Sequence, residues 1–270
     1  MNIQNKVIVV TGAGNGMGRE LVLALLGKGA RVAAVDMREA TLNETKQLAG
    51  VKAEHVSTHV LDITDKAAVE ALPKDVIAKH GNVDGIINNA GIIQPFVRVN
   101  DLEYETINRV INVNFYGALY MIKTFLPLFL KRPEAHIVNT SSMGGFLPVP
   151  GQSVYGASKA AIKLLTEGLY AELAHTNVRV SAVFPGAIQT NITSNSGVKG
   201  PELPKSNTQS QSIKMLSAKD AADIIIRGIE KNKPLIYVGQ DSKLMNMLYR
   251  LNPTFATNLI AKKMRSLLPE

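Results

Sequence analysis

Short runs of β-branched and aliphatic residues alternate along the chain with longer stretches in which apolar positions recur every three or four residues. The short runs are KVIVVTG, RVAAVD, EHVSTHVLD, VDGIINNAG, AHIVNTSS, VRVSAVFPG and PLIYVG. Between them, stretches of helical period cover 17–28, 39–49, 66–79, 103–131, 153–175 and 218–231. Continuous apolar runs joined through helices are the pattern of parallel strands covered on both faces. The order predicts an α/β fold, a doubly wound Rossmann-type parallel sheet of about seven strands with helices on both faces. Pro127 falls inside the 103–131 stretch and predicts a kink there. Residues 1–242 read as one domain. Within it, 191–215 is poor in apolar residues and rich in Ser, Asn, Gly and Pro, which predicts a long loop of the kind that lids a site. Residues 243–270 form a separate C-terminal tail.

Composition narrows this picture. A chain of 270 residues, 46% hydrophobic and 19% charged, can bury a sizeable core. With no Cys it has no disulfide, thiolate nucleophile or Cys-based metal site. His55 and His59 are the one His pair with ligand-like spacing, among alternating residues that read as solvated, so no metal site is expected. The start, MNIQNKVIVVTG, has a four-residue apolar run, too short for a secretory signal, and no run approaches the ~18 residues needed to span a bilayer. The reading is of a cytoplasmic protein. The formal charge of +8 raises nucleic acid as a partner only through its total, and no nucleic-acid function is expected.

The candidate chemistry begins where the first run meets TGAGNGMGRE. Gly12, Gly16 and Gly18 sit at a strand-to-helix turn, where a bare backbone can approach a diphosphate and a helix N-terminus presents free N–H groups. Asp36 ends the second run, 18 residues beyond Gly18, where a carboxylate accepts ribose hydroxyls and repels a 2′-phosphate. Asn15 and Met37 supply no cation for such a phosphate, although Arg38 stands nearby. Asp36 therefore favours NAD over NADP. Tyr155 and Lys159 are four residues apart on one helical face, an arrangement in which an ammonium favours an ionised phenol. In a chain with 7 Tyr and 30 Lys+Arg that pair is near chance frequency and means little alone.

Taken together the motifs resemble the short-chain dehydrogenase/reductase family over roughly residues 5–240. TGAGNGMG, with Asn15 and Met17 between its glycines, is similar to the family's cofactor glycine motif. LDITD, with Asp62 and Ile63, is similar to its adenine-contacting segment, and NNAG, with Asn89, Ala90 and Gly91, to the motif beside the cofactor. The resemblance places the family's catalytic Asn on Asn114, its Ser on Ser142 and its Tyr and Lys on Tyr155 and Lys159, with Ser141 in support. Pro185, Gly186, Ile188 and Thr190 fall in FPGAIQT, which in the family holds the nicotinamide end. The implied activity is hydride transfer between a nicotinamide and a carbonyl or alcohol carbon, with Tyr155 exchanging the proton on oxygen. In that scheme Lys159 lowers the Tyr155 pKa and binds the nicotinamide ribose, Ser142 hydrogen-bonds the substrate oxygen, and Asn114 holds a water linking Lys159 to solvent. A dinucleotide-binding regulator or scaffold without turnover is the alternative function.

Substrate walls are expected after Gly91, Ser142 and Gly186, where Ile92, Ile93, Phe96, Met143, Phe146 and Ile188 stand, with Gln94, Gln152 and Gln189 as the few neutral polar groups. No Arg or Lys stands in these positions, which points to an uncharged, rather apolar alcohol or ketone. The helices at 103–131 and 153–175 carry more apolar residues than one stripe needs, and the resemblance implies that they pair in a homodimer or homotetramer. In the tail, Leu244, Met247, Leu248, Leu251, Phe255, Leu259, Met264 and Leu267 recur at three- or four-residue steps, predicting two amphipathic helices broken near Pro253. Lys243, Arg250, Lys262, Lys263 and Arg265 against Glu270 hold half of the chain's formal charge. That combination fits either peripheral contact with an anionic membrane or packing on a partner subunit or over the substrate site.

Overall fold

The computed structural model describes residues 1–198 and 215–268, so most of the expected lid, 199–214, lies outside the described residues. The chain alternates β1 (Val7–Thr11), α1 (Gly16–Gly27), β2 (Arg31–Asp36), α2 (Glu39–Leu48), β3 (Val56–Val60), α3 (Lys66–His80) and β4 (Gly85–Asn88). It continues through α4 (Tyr104–Ile111), α5 (Ala118–Phe129), β5 (Ala135–Thr140), α6 (Ser153–Glu172) and β6 (Val178–Pro185). A two-residue β7 (Ile188–Gln189) and a one-turn α7 (Ile192–Asn195) follow. The last elements are β8 (Leu216–Ser217), α8 (Ala218–Glu230), β9 (Leu235–Val238), α9 (Gln240–Leu251) and α10 (Pro253–Lys263).

Seven strands form one parallel sheet in the order β3-β2-β1-β4-β5-β6-β9, and β7 pairs with β8 beside it. This is the Rossmann-type architecture that the alternating pattern predicts. The strand period of two sorts the core: Ile8 and Val10 pack with α1, α2 and α8 on one face, Val7 and Val9 with α3, α5 and α6 on the other. The strand order reverses between β1 and β4, which opens a crevice above their carboxyl ends. Thr11 fastens that point. Its hydroxyl accepts the N–H groups of Asn89 and Ala90 at 3.0 and 3.1 Å, and its carbonyl accepts the Asn89 amide at 3.1 Å.

The 103–131 stretch departs from α geometry at Asn112–Gly117, a π turn, rather than at Pro127, which α5 accommodates near its C-terminal end. The tail does not begin as a separate unit. Position 243 lies inside α9, whose first turn is bonded to the domain: Asp241 accepts the N–H of Ala187 at 2.8 Å and Ser242 donates to the Phe184 carbonyl at 2.8 Å. One face of α9 and α10 buries Ala256 and Ile260 against Leu147, with Met143 and Phe146 alongside. That face packs on the chain's own domain, on residues that follow Ser142 in sequence. His55 is exposed and His59 pairs with Ser57 at 2.8 Å; no metal-ligating group of three exists among the described residues.

Candidate active site

A cavity of about 960 Å³ lies over the carboxyl ends of the strands. Every residue expected to hold the cofactor lines it: Gly12, Asn15 to Gly18 and Asp36 from the first two strand ends, Asp62, Ile63 and Asn89 to Gly91 from the loops after β3 and β4, Tyr155 and Lys159 from α6, and Pro185, Gly186, Ile188 and Thr190 from the end of β6 onward, with Thr190 against Gly16. The glycine turn is sterically obliged. A Cβ on Gly18 would collide with the Gly12 carbonyl, and Gly12 itself turns at φ +66° with Ala90 Cα only 2.9 Å from where its Cβ would stand. The turn thereby aims the N-terminus of α1 at the cavity.

The carboxylate of Asp36 accepts the N–H groups of Gly14 at 3.0 Å and Arg38 at 3.1 Å, which fixes it at the end of β2. The Arg38 guanidinium stands 3.8 Å from Asp36 and donates to Asn195 at 3.1 Å. Asn195 in turn exchanges amide hydrogen bonds with Asn15 at 2.8 and 3.2 Å. Ser196 accepts the Ile93 N–H at 3.0 Å and its carbonyl is gripped by Arg109. The segment just after β7 is thus tied across the cavity to the glycine turn, to β2 and to α4. Asp62 is spent on Thr64, while Ile63 packs so closely under Gly117 that a Cβ there would approach within 2.6 Å.

The four expected catalytic residues converge from three elements. The π turn carries Asn114, one layer behind the cavity wall. Its side chain accepts the Ile92 N–H at 2.8 Å and donates to the Ile92 carbonyl at 2.9 Å and to Ser158 at 3.0 Å. Lys159, buried in α6, donates to the Thr140 carbonyl at 3.1 Å. Gly91 leaves the space between them open, since a Cβ there would sit 2.9 Å from the Lys159 ammonium and 3.1 Å from the Asn114 carbonyl. Ser142 accepts the Gly144 N–H at 3.0 Å and hydrogen-bonds the Tyr155 phenol. Ser141 supports from behind by donating to the Lys159 carbonyl at 2.7 Å.

Burial dominates the electrostatics. It pushes the Tyr155 phenol above its ordinary pKa, opposed by the hydrogen bond to Ser142, and it pulls the Lys159 ammonium down to about 8. The ammonium lies 6.0 Å from the centre of the Tyr155 ring. Burial is thus the largest cause of both shifts, and Ser142 is the group that opposes it at Tyr155.

Two of the three glutamines expected as polar wall groups are structural. Gln94 accepts the N–H groups of Val154 and Tyr155, both at 2.9 Å, and donates to the Gly151 carbonyl at 2.9 Å. Gln152 donates to the Gln94 carbonyl at 2.8 Å. Both are buried, and only Gln189 is exposed. Ile92, Ile93 and Ile188 line the cavity as expected, whereas Met143 and Phe146 turn toward the tail. The cavity also holds residues that the sequence reading missed. Glu105, Asn108, Arg109 and Asn112 line it from α4 and the π turn, spaced i, i+3, i+4 and i+7, a polar stripe that was visible within the 103–131 stretch.

The family model for short chain dehydrogenases matches residues 6–199. The chain belongs to the short-chain dehydrogenase family. The chain is similar to a putative oxidoreductase, SadH, of Mycobacterium tuberculosis, 34% identical over 99% of this chain and 98% of that protein. A short-chain dehydrogenase/reductase from Burkholderia phymatum, solved in complex with NAD, superposes with a TM-score of 0.84 at 27% identity over 94% of this chain and 96% of that one. A short-chain dehydrogenase from Burkholderia cenocepacia J2315, solved with NADP, gives 0.79 at 27% over 96% and 99%. This short-chain dehydrogenase is accordingly an oxidoreductase of a family whose solved members hold NAD or NADP. The residues present fit such a dinucleotide. The cavity is at the upper end of the size range of small-molecule sites, and the tight glycine turn brings bare backbone at Gly12, Gly16 and Gly18 and the start of α1 to its surface.

Proposed function

We propose that the protein is an NAD-preferring dehydrogenase/reductase that interconverts an uncharged, rather apolar alcohol and its ketone, with Tyr155 as the acid/base. The observation that carries this reading is the meeting of Ser142, Tyr155 and Lys159 in one cavity that Asp36 also lines.

Bound nicotinamide supplies the hydride in reduction and accepts it in oxidation. The chain's own groups do the rest. The glycine turn and the N-terminus of α1 hold the diphosphate, and the Asp36 carboxylate, already oriented by two N–H groups, takes the adenosine ribose hydroxyls. Lys159 stands on the Thr140 carbonyl, within the same wall as Tyr155, where it can bind the second ribose. Ser142 donates to the substrate oxygen as negative charge grows on it. Tyr155 gives that oxygen a proton as the ketone is reduced, or removes the alcohol proton as the hydride leaves carbon. Asn114, locked by Ile92 and Ser158, would hold a water that links Lys159 to solvent, so that the proton is replaced. Ile92, Ile93 and Ile188 favour an apolar substrate, and the Arg109 guanidinium beside them is occupied by the Ser196 carbonyl.

The preference for NAD rests on Asp36 lying nearly buried at the end of β2 while Arg38 is half-exposed and directed to Asn195. A homodimer or homotetramer fits the outward arc of α6, where Ala157, Ala160, Ala161, Leu164 and Gly168 leave a smooth apolar surface.

The test is a panel of apolar secondary alcohols and ketones, each with NAD(H) and NADP(H), followed by absorbance of the reduced cofactor. Turnover of at least one pair with NAD(H) ahead of NADP(H) is expected. No turnover of any pair despite tight cofactor binding would point instead to a dinucleotide-binding regulator.

A further inference from the structure

The C-terminal helices α9 and α10 have two apolar sides, and the domain covers only one. Met245, Leu248 and Tyr249 of α9 turn inward and pack with Ala256, Ile260 and Leu147. The opposite arc is exposed throughout: Gln240, Lys243, Leu244, Met247, Arg250 and Leu251 share roughly 120° of the helix surface at 100° per residue. Within that arc Leu244 is 48%, Met247 53% and Leu251 77% exposed, and Phe255, at the start of α10, is 54% exposed. A helix apolar on both sides is ordinarily buried on both sides. Here the second side faces outward, and four large apolar side chains stand in succession across the α9–α10 turn.

Charge decides what fits them. Lys243 and Arg250 stand together along one edge of the apolar strip of the α9 arc, and Lys262 lies on the same face of α10 as Phe255, seven residues on. Lys263 and Arg265 extend the positive charge. Among the described residues none of the five pairs with a carboxylate. A second copy of the chain seated on this surface about a two-fold axis would set the same patch against itself, bringing Lys243 and Arg250 toward their own copies. Like charges juxtaposed across an interface oppose assembly. Negatively charged lipid meets both requirements at once: the acyl boundary receives the leucines, methionine and phenylalanine, and the headgroups receive the cations, whose long stems reach past the apolar stripe.

From this we infer that α9 and α10 dock the enzyme on the surface of an anionic membrane, with Leu244, Met247, Leu251 and Phe255 entering the interface and Lys243, Arg250 and Lys262 at headgroup level. Docking is peripheral, since among the described residues no helix is long and apolar enough to cross a membrane. The docking face is the outer surface of the same helices whose inner face supports Leu147, Met143 and Phe146, next in the chain to Ser142. An apolar substrate dissolved in lipid would thus be met close to the site that acts on it.

Co-sedimentation of the full chain with vesicles of phosphatidylcholine and phosphatidylglycerol, against vesicles of phosphatidylcholine alone, tests the inference without reference to turnover. Binding to the anionic vesicles is expected, weakening as salt rises. The variant Met247→Glu/Leu251→Glu should lose that binding, and Lys243→Glu/Arg250→Glu should weaken it about tenfold or more. Both variants alter exposed side chains, so their circular dichroism and quenching by NADH should match the parent chain. The inference fails if the parent ignores anionic vesicles, or if the Met247→Glu/Leu251→Glu variant binds them as the parent does. It also fails if that variant instead reduces the oligomer measured by light scattering, because a second copy would then be the occupant.

Discussion

The side-chain carbonyl of Gln94 accepts the backbone N–H of Tyr155 at 2.9 Å, and of Val154 at the same distance. One buried amide, arriving from the loop after β4, therefore satisfies two of the free N–H groups that open α6, the helix that presents the acid/base. Gln94→Ala leaves those donors unpaired in a dry environment, at a cost of roughly 2–4 kcal/mol. Thermal denaturation should show a drop of roughly 5–10 °C. Because Tyr155 sits on the first turn, kcat should fall by about tenfold while KM changes less. A variant with parental Tm and kcat would show that the cap is dispensable.

Replacing Tyr155 with Phe removes the phenol and keeps the ring that packs in α6. Dinucleotide binding, read by fluorescence quenching, should be retained, while ketone reduction falls by on the order of 10²-fold or more. In the parent, burial holds the phenol protonated beyond its ordinary range. Reduction, which needs the protonated phenol, should therefore persist to higher pH, and alcohol oxidation, which needs the phenolate, should begin to rise at higher pH, than with a phenol of ordinary pKa. Near-parental turnover by Tyr155→Phe would remove this residue from the chemistry.

Asp36→Ala deletes the carboxylate that Gly14 and Arg38 orient. NAD affinity should fall, repulsion of a 2′-phosphate should be relieved, and the ratio of kcat/KM with NAD to that with NADP should narrow by at least tenfold. A parent enzyme that already prefers NADP would mean that Arg38, 3.8 Å from Asp36, governs the choice.

Lys159 provides a stability test. Its folded pKa, about 8, lies below the ordinary 10.5, so between these values the unfolded chain binds a proton that the folded chain does not. Stability should therefore rise with pH across that window, and below it the fold bears the whole penalty of a buried cation. Lys159→Met should abolish turnover yet melt higher than the parent at pH 7, by roughly 1–3 kcal/mol, with the advantage shrinking toward pH 10.5. Equal melting curves at both pH values would show that the bond to the Thr140 carbonyl offsets the burial.

The fold was legible because parallel strands are buried on both faces and so appear as unbroken runs such as VIVVT, while Gly12, Gly16 and Gly18 mark the first crossover. The site was legible where motifs are contiguous, as at Tyr155 and Lys159. What escaped was made by pairing across distance. Gln94 and Gln152 have the composition of wall residues, and only the return of the chain past Gly151 turns both into hydrogen-bonding partners in the interior. Thr11 looked like the end of a strand, and its clamp on Asn89 and Ala90 exists only once β1 and β4 are neighbours. In the long helix proline is the visible breaker, so the sequence points to Pro127. The π turn at Asn112–Gly117 has no such marker, and Asn114 there is held by the backbone of Ile92.

Asn195 has a consequence for anyone redesigning this enzyme. It takes the amide of Asn15 and the guanidinium of Arg38 at once, so the anchor that orients Arg38 lies 157 positions further along the chain. Editing the end of β2 alone to switch cofactors would leave that anchor in place, still directing the new or retained cation away from the ribose. A library intended to change selectivity should vary position 195 together with 36 and 38, treating the three as one coupled locus although they are far apart in sequence.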